Sequence, residues 1–217
     1  MSAPIRVLLV DDHPAILAGL RAILGSAADV AVVGAAATLA QAETLLESCQ
    51  PDVIVLDYEL GNDVGLELLT APTLLAPGAA RPAIVLLSAH DNSAYMYQAH
   101  QRGTAGYILK EAALDVVLAG VRQVARGNTL WTPAQLARIR TWEEQVKSRW
   151  DTLTDRERDV LQAVAQGKSN REIAADLQIT ERTAESHVTH ILDKLGVSSR
   201  MAAAAWVRDA GLERSMF

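Results

Sequence analysis

Five short runs of Val, Ile and Leu, each followed by a segment with helical spacing of its apolar residues, fill positions 5 to 126 of the chain. The runs are Ile5–Val10, Val30–Gly34, Val53–Asp57, Ala83–Ser88 and Gly106–Leu109, and the helical segments cover about 14–25, 39–48, 65–70, 93–102 and 112–126. Strands that are apolar throughout, without in-out alternation, are buried on both faces. Strands joined through helices run parallel, because a parallel pair needs a long crossover connection. The pattern predicts a doubly wound α/β domain: a flavodoxin-like five-stranded parallel sheet with helices on both faces.

From Trp150 onward the strand signals stop. Thr154 and Glu157 have the spacing of a capping box, and Gly167 closes the helix they open. Ser169 and Glu172 repeat the device, Thr180 caps a third helix ending at Gly196, and Ser198 or Ser199 opens an alanine-rich fourth that runs to about Gly211. This half reads as an all-α four-helix unit. Between the halves, "TPAQLARIRTWEEQVKSRW" is polar and partly helical. The expected organisation is a first domain over 1–126, a linker over 127–150 and a helical domain over 151–217.

With 50% hydrophobic residues and a mean hydropathy of +0.11, the chain has enough apolar material for real cores. Its longest apolar stretches fall short of the roughly 18 residues needed to span a membrane. The N-terminus enters a strand at Ile5 without a basic region followed by an apolar segment, so no secretory signal is expected. A single cysteine, Cys49, excludes an internal disulfide or a cysteine-based zinc cluster and suits a reducing compartment. A cytoplasmic location is the expectation.

Chemistry gathers at the strand ends. In parallel α/β sheets ligands bind at the carboxyl edge. There the first strand ends in Asp11–Asp12, the third in Asp57, the fourth in Ser88, and Lys110 follows the fifth. Each has an ordinary reading alone: a loop pair, a turn residue, a helix cap, a surface charge. Together, three carboxylates repel one another unless a hard cation such as Mg²⁺ lies among them. The set suggests an Asp57 carboxylate that accepts a phosphoryl group, with Mg²⁺ and Lys110 balancing its charge.

The stretches "LLVDDHPAIL", "DVIVLDYEL", "IVLLSAHDN" and "GTAGYILK" resemble the receiver domain of bacterial two-component response regulators, across essentially all of residues 1–126. The resemblance implies a histidine kinase as partner, Asp57 as phosphoacceptor and Asp11 and Asp12 as further Mg²⁺ holders. It also implies that Ser88 and Lys110 sense the phosphoryl group, and that Tyr107 is a switch aromatic that moves inward when the Ser88 hydroxyl is drawn toward phosphate. The loop "GNDVG" departs from the family, with Gly61 where proline is frequent and Val64 where aspartate is. That departure predicts a more flexible loop. Glu59 stands where the family modulates phosphoryl lifetime.

In the second half, Ile173, Leu177, Val188, Ile191, Leu192 and Leu195 form an apolar stripe, which turns Arg182, Glu185, Ser186 and Thr189 outward. Two helices joined by a tight turn fit a helix-turn-helix. The motifs "LTDRERDVLQAVAQGKSNREIAADLQIT" and "TAESHVTHILDKLGVSSR" resemble the LuxR-type output domain of NarL/FixJ response regulators. By that resemblance Glu181 to Leu195 is a recognition helix. Asn170, Arg171, Thr183 and Lys194 then contact the DNA backbone, and Glu185, Ser186 and Thr189 face bases. Charge pulls the other way: the net charge is −6, and residues 151–217 carry nine Lys and Arg against eleven Asp and Glu. Lys168, Arg171, Arg182, Lys194 and Arg200 nonetheless fall near the motif. In "TAESH", Ala184 and Glu185 replace the family's frequent Val-Lys, so Glu185 either changes specificity, accepting from cytosine N4, or weakens binding. His187 and His190, three apart without cysteine partners, are not read as a metal site.

The expected function is a phosphorylation-dependent transcriptional response regulator, a homodimer on promoter DNA when phosphorylated, and no enzyme beyond its own phosphoryl transfer. The alternative is a phosphorylation-gated protein-interaction regulator whose helical domain binds DNA weakly or not at all. Salt-dependent retention on DNA separates the two. An aspartyl-phosphate enzyme is disfavoured, since no general acid or substrate lid accompanies the acidic residues.

Overall fold

The computed structural model describes residues 3–75 and 81–212; the predicted end of the helical domain, 213–217, lies outside them. The chain divides into two compact units, one of residues up to 92 with 99–135, the other of 93–98 with 136 onward.

The first unit is built on β1 (Ile5–Val10), β2 (Val30–Ala36), β3 (Val53–Asp57), β6 (Ala83–Ser88) and β7 (Gly106–Leu109), with the short β4 (Glu59–Leu60) and β5 (Asp63–Val64) between. The sheet order is β2-β1-β3-β6-β7 and every pair in it is parallel. The chain steps outward from β1 to β2 and then returns to lay β3, β6 and β7 on the other side. Connections therefore diverge between β1 and β3, and a crevice opens at their carboxyl ends. β3 is buried at all five residues, as its unbroken apolar run predicts. On one face Val7, Leu9, Leu20, Leu24, Val55, Val85 and Val121 pack into a single core. Fully burying one such side chain stabilises by about 1.5–3 kcal/mol.

Helices follow their local signals. α1 (Pro14–Gly25) starts with proline in its first turn, and α2 (Leu39–Cys49) is capped by Thr38 Oγ1, which accepts from the Gln41 amide. The predicted helix at 65–70 is instead a 3-10 helix, Gly65–Thr70, followed by the short α3 (Pro72–Leu75). Pro72 explains the break: it excludes Ala71 from the helical region, and Ala71 lies at φ −58°, ψ 134°. α4 covers Ser93–Gln101, and α5 (Leu114–Val124) is shorter than its periodic stretch because Ala113 is extended.

Two stretches carry contacts that their local sequence does not announce. The "GNDVG" loop, predicted to be flexible, is a tight hairpin of β4 and β5, with Gly61 at φ +63° and its amide donating to Asp12 Oδ2 at 3.0 Å. A Cβ at Gly65 would lie 1.9 Å from the Asp57 carbonyl oxygen, so only glycine fits this return. The stretch read as linker also begins inside the first unit. Leu130 N donates to Ala105 O at 2.8 Å, and Trp131, 8% exposed, donates its indole N–H to Thr104 O at 2.9 Å. This segment covers edge strand β7, and its polar neighbours hid the role. It leads into a continuous α6, Pro133–Asp151.

The second unit holds α7 (Asp155–Ala165), α8 (Asn170–Asp176), α9 (Glu181–Leu195) and α10 (Arg200–Asp209). Both capping boxes form, Thr154 with Glu157 and Ser169 with Glu172. Thr180 caps α9, Gly196 ends it at φ +65°, and Ser199 caps α10. Val160, Leu161, Ile173, Ala184, Ile191, Leu195 and Val207 make the core, which accounts for the small residue at Ala184. Among the described residues no helix is long and apolar enough to cross a membrane.

Candidate functional site

The ends of β1 and β3 bring Asp11, 1% exposed, and Asp57, 2% exposed, to one point. Lys110, just beyond β7, places its Nζ 2.5 Å from Asp57 Oδ2 and 2.8 Å from Asp11 Oδ2. The backbone amides of His13 and Glu59 donate to Asp11 Oδ1 at 2.8 Å and Asp57 Oδ1 at 3.2 Å. Burial pushes the Asp57 carboxyl up to about 6, and the Asp11 charge adds to that, against the hydrogen bond from Lys110. For Lys110 burial alone would lower the pKa, but the hydrogen bonds to Asp11 and Asp57 outweigh it and hold the ammonium above its ordinary value. One ammonium thus faces two buried carboxylates, with Asp12 beside them, and the pocket keeps an excess of negative charge.

Oxygens of Asp11, Asp12 and Asp57 and a ring nitrogen of His13 lie within 4.8 Å of one another. Asp11 Oδ2 meets the Lys110 ammonium at 2.8 Å, while the buried Asp12 Oδ1 lies 2.7 Å from His13 Nδ1 without a hydrogen-bond partner. Hard oxygen donors crowded in this way fit a divalent cation. The predicted set of Asp11, Asp12, Asp57 and Lys110 is therefore brought together, and Ser88 ends the neighbouring strand β6.

Ser88 is 1% exposed, and its Oγ accepts from the His90 amide at 3.0 Å. The Tyr107 hydroxyl donates to the carbonyl of the same His90 at 2.6 Å. Tyr107 is buried, stacked on Trp131 with ring centroids 6.3 Å apart, and its own carbonyl accepts from the Gln135 side chain at 3.1 Å. A chain of contacts thus joins the Ser88 hydroxyl, through His90, to Tyr107 and Trp131.

Sequence reasoning passed over His13, His90 and Trp131. His13 follows the acid pair directly, and that adjacency was the available signal. His90 had none, since it acts through its backbone; its ring lies 3.5 Å from Glu59 at the rim.

In the second unit, α9 turns Arg182, Thr183, Glu185, Ser186 and Thr189 to solvent. Asn170, Arg182, Glu185, Ser186 and Thr189 line one open concavity. The nearby cations are largely engaged: Lys194 with Glu157 at 2.6 Å, Lys168 with Asp176 at 2.8 Å, and Arg200 with Asn170 Oδ1 at 2.9 Å and with the Lys168 carbonyl. Arg171 and Arg182 are exposed without an ion pair among the described residues. Glu157 is buried, which alone would raise its pKa, yet the Lys194 and Thr154 hydrogen bonds hold it down at about 2.

Residues 7–122 match the response regulator receiver domain, and residues 151–207 match the bacterial regulatory proteins of the luxR family. The nitrate/nitrite response regulator protein NarL of Escherichia coli (strain K12) is 36% identical over 208 residues, which are 94% of this chain and 95% of that protein. The transcriptional regulatory protein MctR of Rhizobium johnstonii is 32% identical over 208 residues, 96% of this chain and 95% of its own. Among solved structures, the response regulator ChrA of a heme-sensing two-component system has a TM-score of 0.53 at 33% identity, covering 97% of this chain and all of that one. With its acidic strand-end pocket on a parallel sheet and its helix-turn-helix unit, the chain belongs to the two-component response regulators that join a receiver domain to a LuxR-type DNA-binding domain.

Proposed function

We propose that this chain is a phosphorylation-dependent transcriptional regulator whose switch is Asp57. The receiver spans 1–126, a connector 127–150 whose first residues pack on the receiver sheet edge, and the DNA-binding domain 151–217, and the protein works in the cytoplasm with a sensor histidine kinase. The observation that carries this reading is the pocket itself: a buried carboxylate at a strand tip, held between Asp11 and Lys110.

In the reaction, a carboxylate oxygen of Asp57 attacks the phosphorus of the kinase phosphohistidine. The P–O bond forms as the N–P bond breaks, and the leaving imidazole takes up a proton. Lys110 and the Ser88 hydroxyl bind phosphoryl oxygens, which favours the transferred state by charge and hydrogen bonding. Asp11, Asp12 and Asp57 would hold Mg²⁺, whose charge offsets that of the phosphoryl oxygens when it is bound. The chain turns over no separate substrate; the acyl phosphate is the signal.

A Ser88 hydroxyl engaged by phosphoryl oxygen no longer serves His90 in the same way, and His90 carries the Tyr107 hydroxyl bond. The Tyr107 surface then favours a homodimer, and two recognition helices read two half-sites of a promoter. Asn170, Arg171, Thr183 and Lys194 contact phosphates, while Glu185, Ser186 and Thr189 face bases. Phosphorylation with a small acyl phosphate and Mg²⁺ tests the first step: wild type should acquire one alkali-labile phosphate and Asp57→Asn none. Incorporation into Asp57→Asn at the wild-type level would refute the assignment.

A second reading, a phosphorylation-gated protein-interaction regulator, is favoured by one observation. Glu185 is exposed in mid-face on α9 while Lys194 is engaged by Glu157. Retention on DNA that falls steeply with salt argues against it.

A further inference from the structure

The stretch between α5 and α6 is fastened to the sheet edge at every second or third residue. Thr129 Oγ1 donates to Ala105 O at 3.0 Å, and the Thr129 carbonyl accepts from the Gln123 side chain at 2.8 Å. Leu130 seats over Gly106 and Gly120, where added Cβ atoms would lie 2.4 Å and 3.0 Å from its side chain. Trp131 meets three places at once. Its indole N–H donates to Thr104 O at 2.9 Å, the His100 ring of α4 packs T-shaped with centroids 5.4 Å apart, and the Tyr107 ring of β7 stacks on it. Gln135, in the first turn of α6, uses both ends of its side-chain amide. Oε1 accepts from the Thr132 backbone amide at 3.0 Å while the Gln135 backbone amide donates to Thr132 Oγ1 at 3.2 Å, a capping box that starts the helix. Nε2 donates to the Tyr107 carbonyl at 3.1 Å. Ring and backbone of Tyr107 are thus held by residues 131 and 135, and all of these contacts lie in the first unit.

We infer that residues 129–135 form a strap that senses Tyr107: Trp131 and Gln135 are positioning residues through which the state of Tyr107 sets the order of the first turn of α6. This rests on Asp57 and Tyr107 being the proposed switch. The Tyr107 hydroxyl is bound to the His90 carbonyl, and the His90 amide to Ser88 Oγ. When the Ser88 hydroxyl turns to a phosphoryl oxygen, the His90 anchor shifts and the Tyr107 ring moves with it. Trp131 does not follow, because Thr104 holds its indole N–H. The stack opens, the bond from Gln135 to the Tyr107 carbonyl weakens, and the same side chain then holds the helix start less firmly. α6 is one unbroken helix from Pro133 to Asp151, so its first turn is the root of the whole connector.

The test is hydrogen exchange on the full chain, with and without a small acyl phosphate and Mg²⁺, followed at Leu136 to Arg140, the first amides that α6 bonds internally. In wild type these should exchange about five to ten times faster once Asp57 is phosphorylated, the scale set by one hydrogen bond, and in Asp57→Ala they should not respond. Gln135→Glu separates the two functions of the side chain, since glutamate keeps the capping box but cannot donate to the Tyr107 carbonyl. It should take up phosphate as wild type does, exchange fast without phosphate and respond no further. With 5-fluorotryptophan in the chain, the ¹⁹F signal that Trp131→Phe removes should shift on phosphorylation. Phosphate uptake that leaves both this signal and the α6 exchange unchanged would overturn the strap while the switch at Asp57 stands. Gln135→Glu responding as wild type does would overturn it as well. No phosphate uptake by wild type would overturn the switch and the strap together.

Discussion

At Gly65 the backbone turns so close to Asp57 that a single methyl decides the geometry. A Cβ there meets the Asp57 carbonyl at 1.9 Å, whereas one at Gly61 meets nothing within 4 Å and suffers only from φ +63°. Gly65→Ala should therefore destabilise the receiver by about 1–3 kcal/mol, as overpacking does, and displace Asp57. Gly61→Ala should cost about 1–2 kcal/mol, from the left-handed backbone alone, and leave Asp57 in place. Urea unfolding together with the rate of phosphate uptake distinguishes them: both variants lose stability, but only Gly65→Ala loses uptake. Glu157 offers a second test. Its folded pKa of about 2 lies below the ordinary 4.5, so the charged form is stabilised on folding. That contribution is full above pH 4.5 and is lost as pH falls from there toward 2. Lys194, the partner, is 35% exposed, so screening leaves about 2 kcal/mol of the effect at pH 7. Glu157→Gln should be destabilised by that amount at pH 7, with the gap to wild type narrowing below pH 4.5 and closing only near pH 2. A gap independent of pH would reject the ion pair as its cause.

At the scale of elements, what the sequence made legible was what repeats locally. Apolar runs such as Val53–Leu56 mark the strands, and the capping boxes at Thr154 and Ser169 mark helix starts, since both signals lie within a few residues. The acidic site was legible too, because a parallel sheet brings all strand ends to one edge. Features fixed by distant partners were not. The fit of Leu130 over Gly106 and the Trp131 bond to Thr104 depend on residues some 25 positions away, and the hairpin at Gly61 depends on Asp12. The link from Ser88 to Tyr107 runs through a backbone carbonyl that no side-chain pattern announces. If this link carries the signal, Tyr107→Phe should accept phosphate at the wild-type rate while its DNA affinity no longer responds. A normal DNA response would show the hydroxyl bond to His90 to be packing alone. On α9, Glu185→Lys replaces a charge that repels phosphate with one that attracts it. DNA affinity should rise, and the slope of log affinity against log salt should steepen by about 0.9 for one added phosphate contact. An unchanged slope would place residue 185 away from the DNA backbone.

For the whole molecule, a member of a DNA-binding family carries a net charge of −6. Non-specific attraction to DNA is correspondingly small, and one recognition helix reads only a few base pairs. On the proposed reading, occupancy of a promoter depends on pairing two chains, which would tie DNA binding to the state of Asp57. Phosphorylation should accordingly shift the chain from monomer toward dimer in sedimentation, and Asp57→Ala should stay monomeric under the same conditions. The most direct measurement is a DNA-binding titration across salt concentration, on wild type and Asp57→Ala, with and without a small phosphodonor and Mg²⁺. Salt-sensitive binding by wild type that strengthens with the phosphodonor, and only when Asp57 is present, is the predicted result. Phosphorylation and dimerisation without retention on DNA at any salt would contradict it and make the chain a protein-interaction regulator instead.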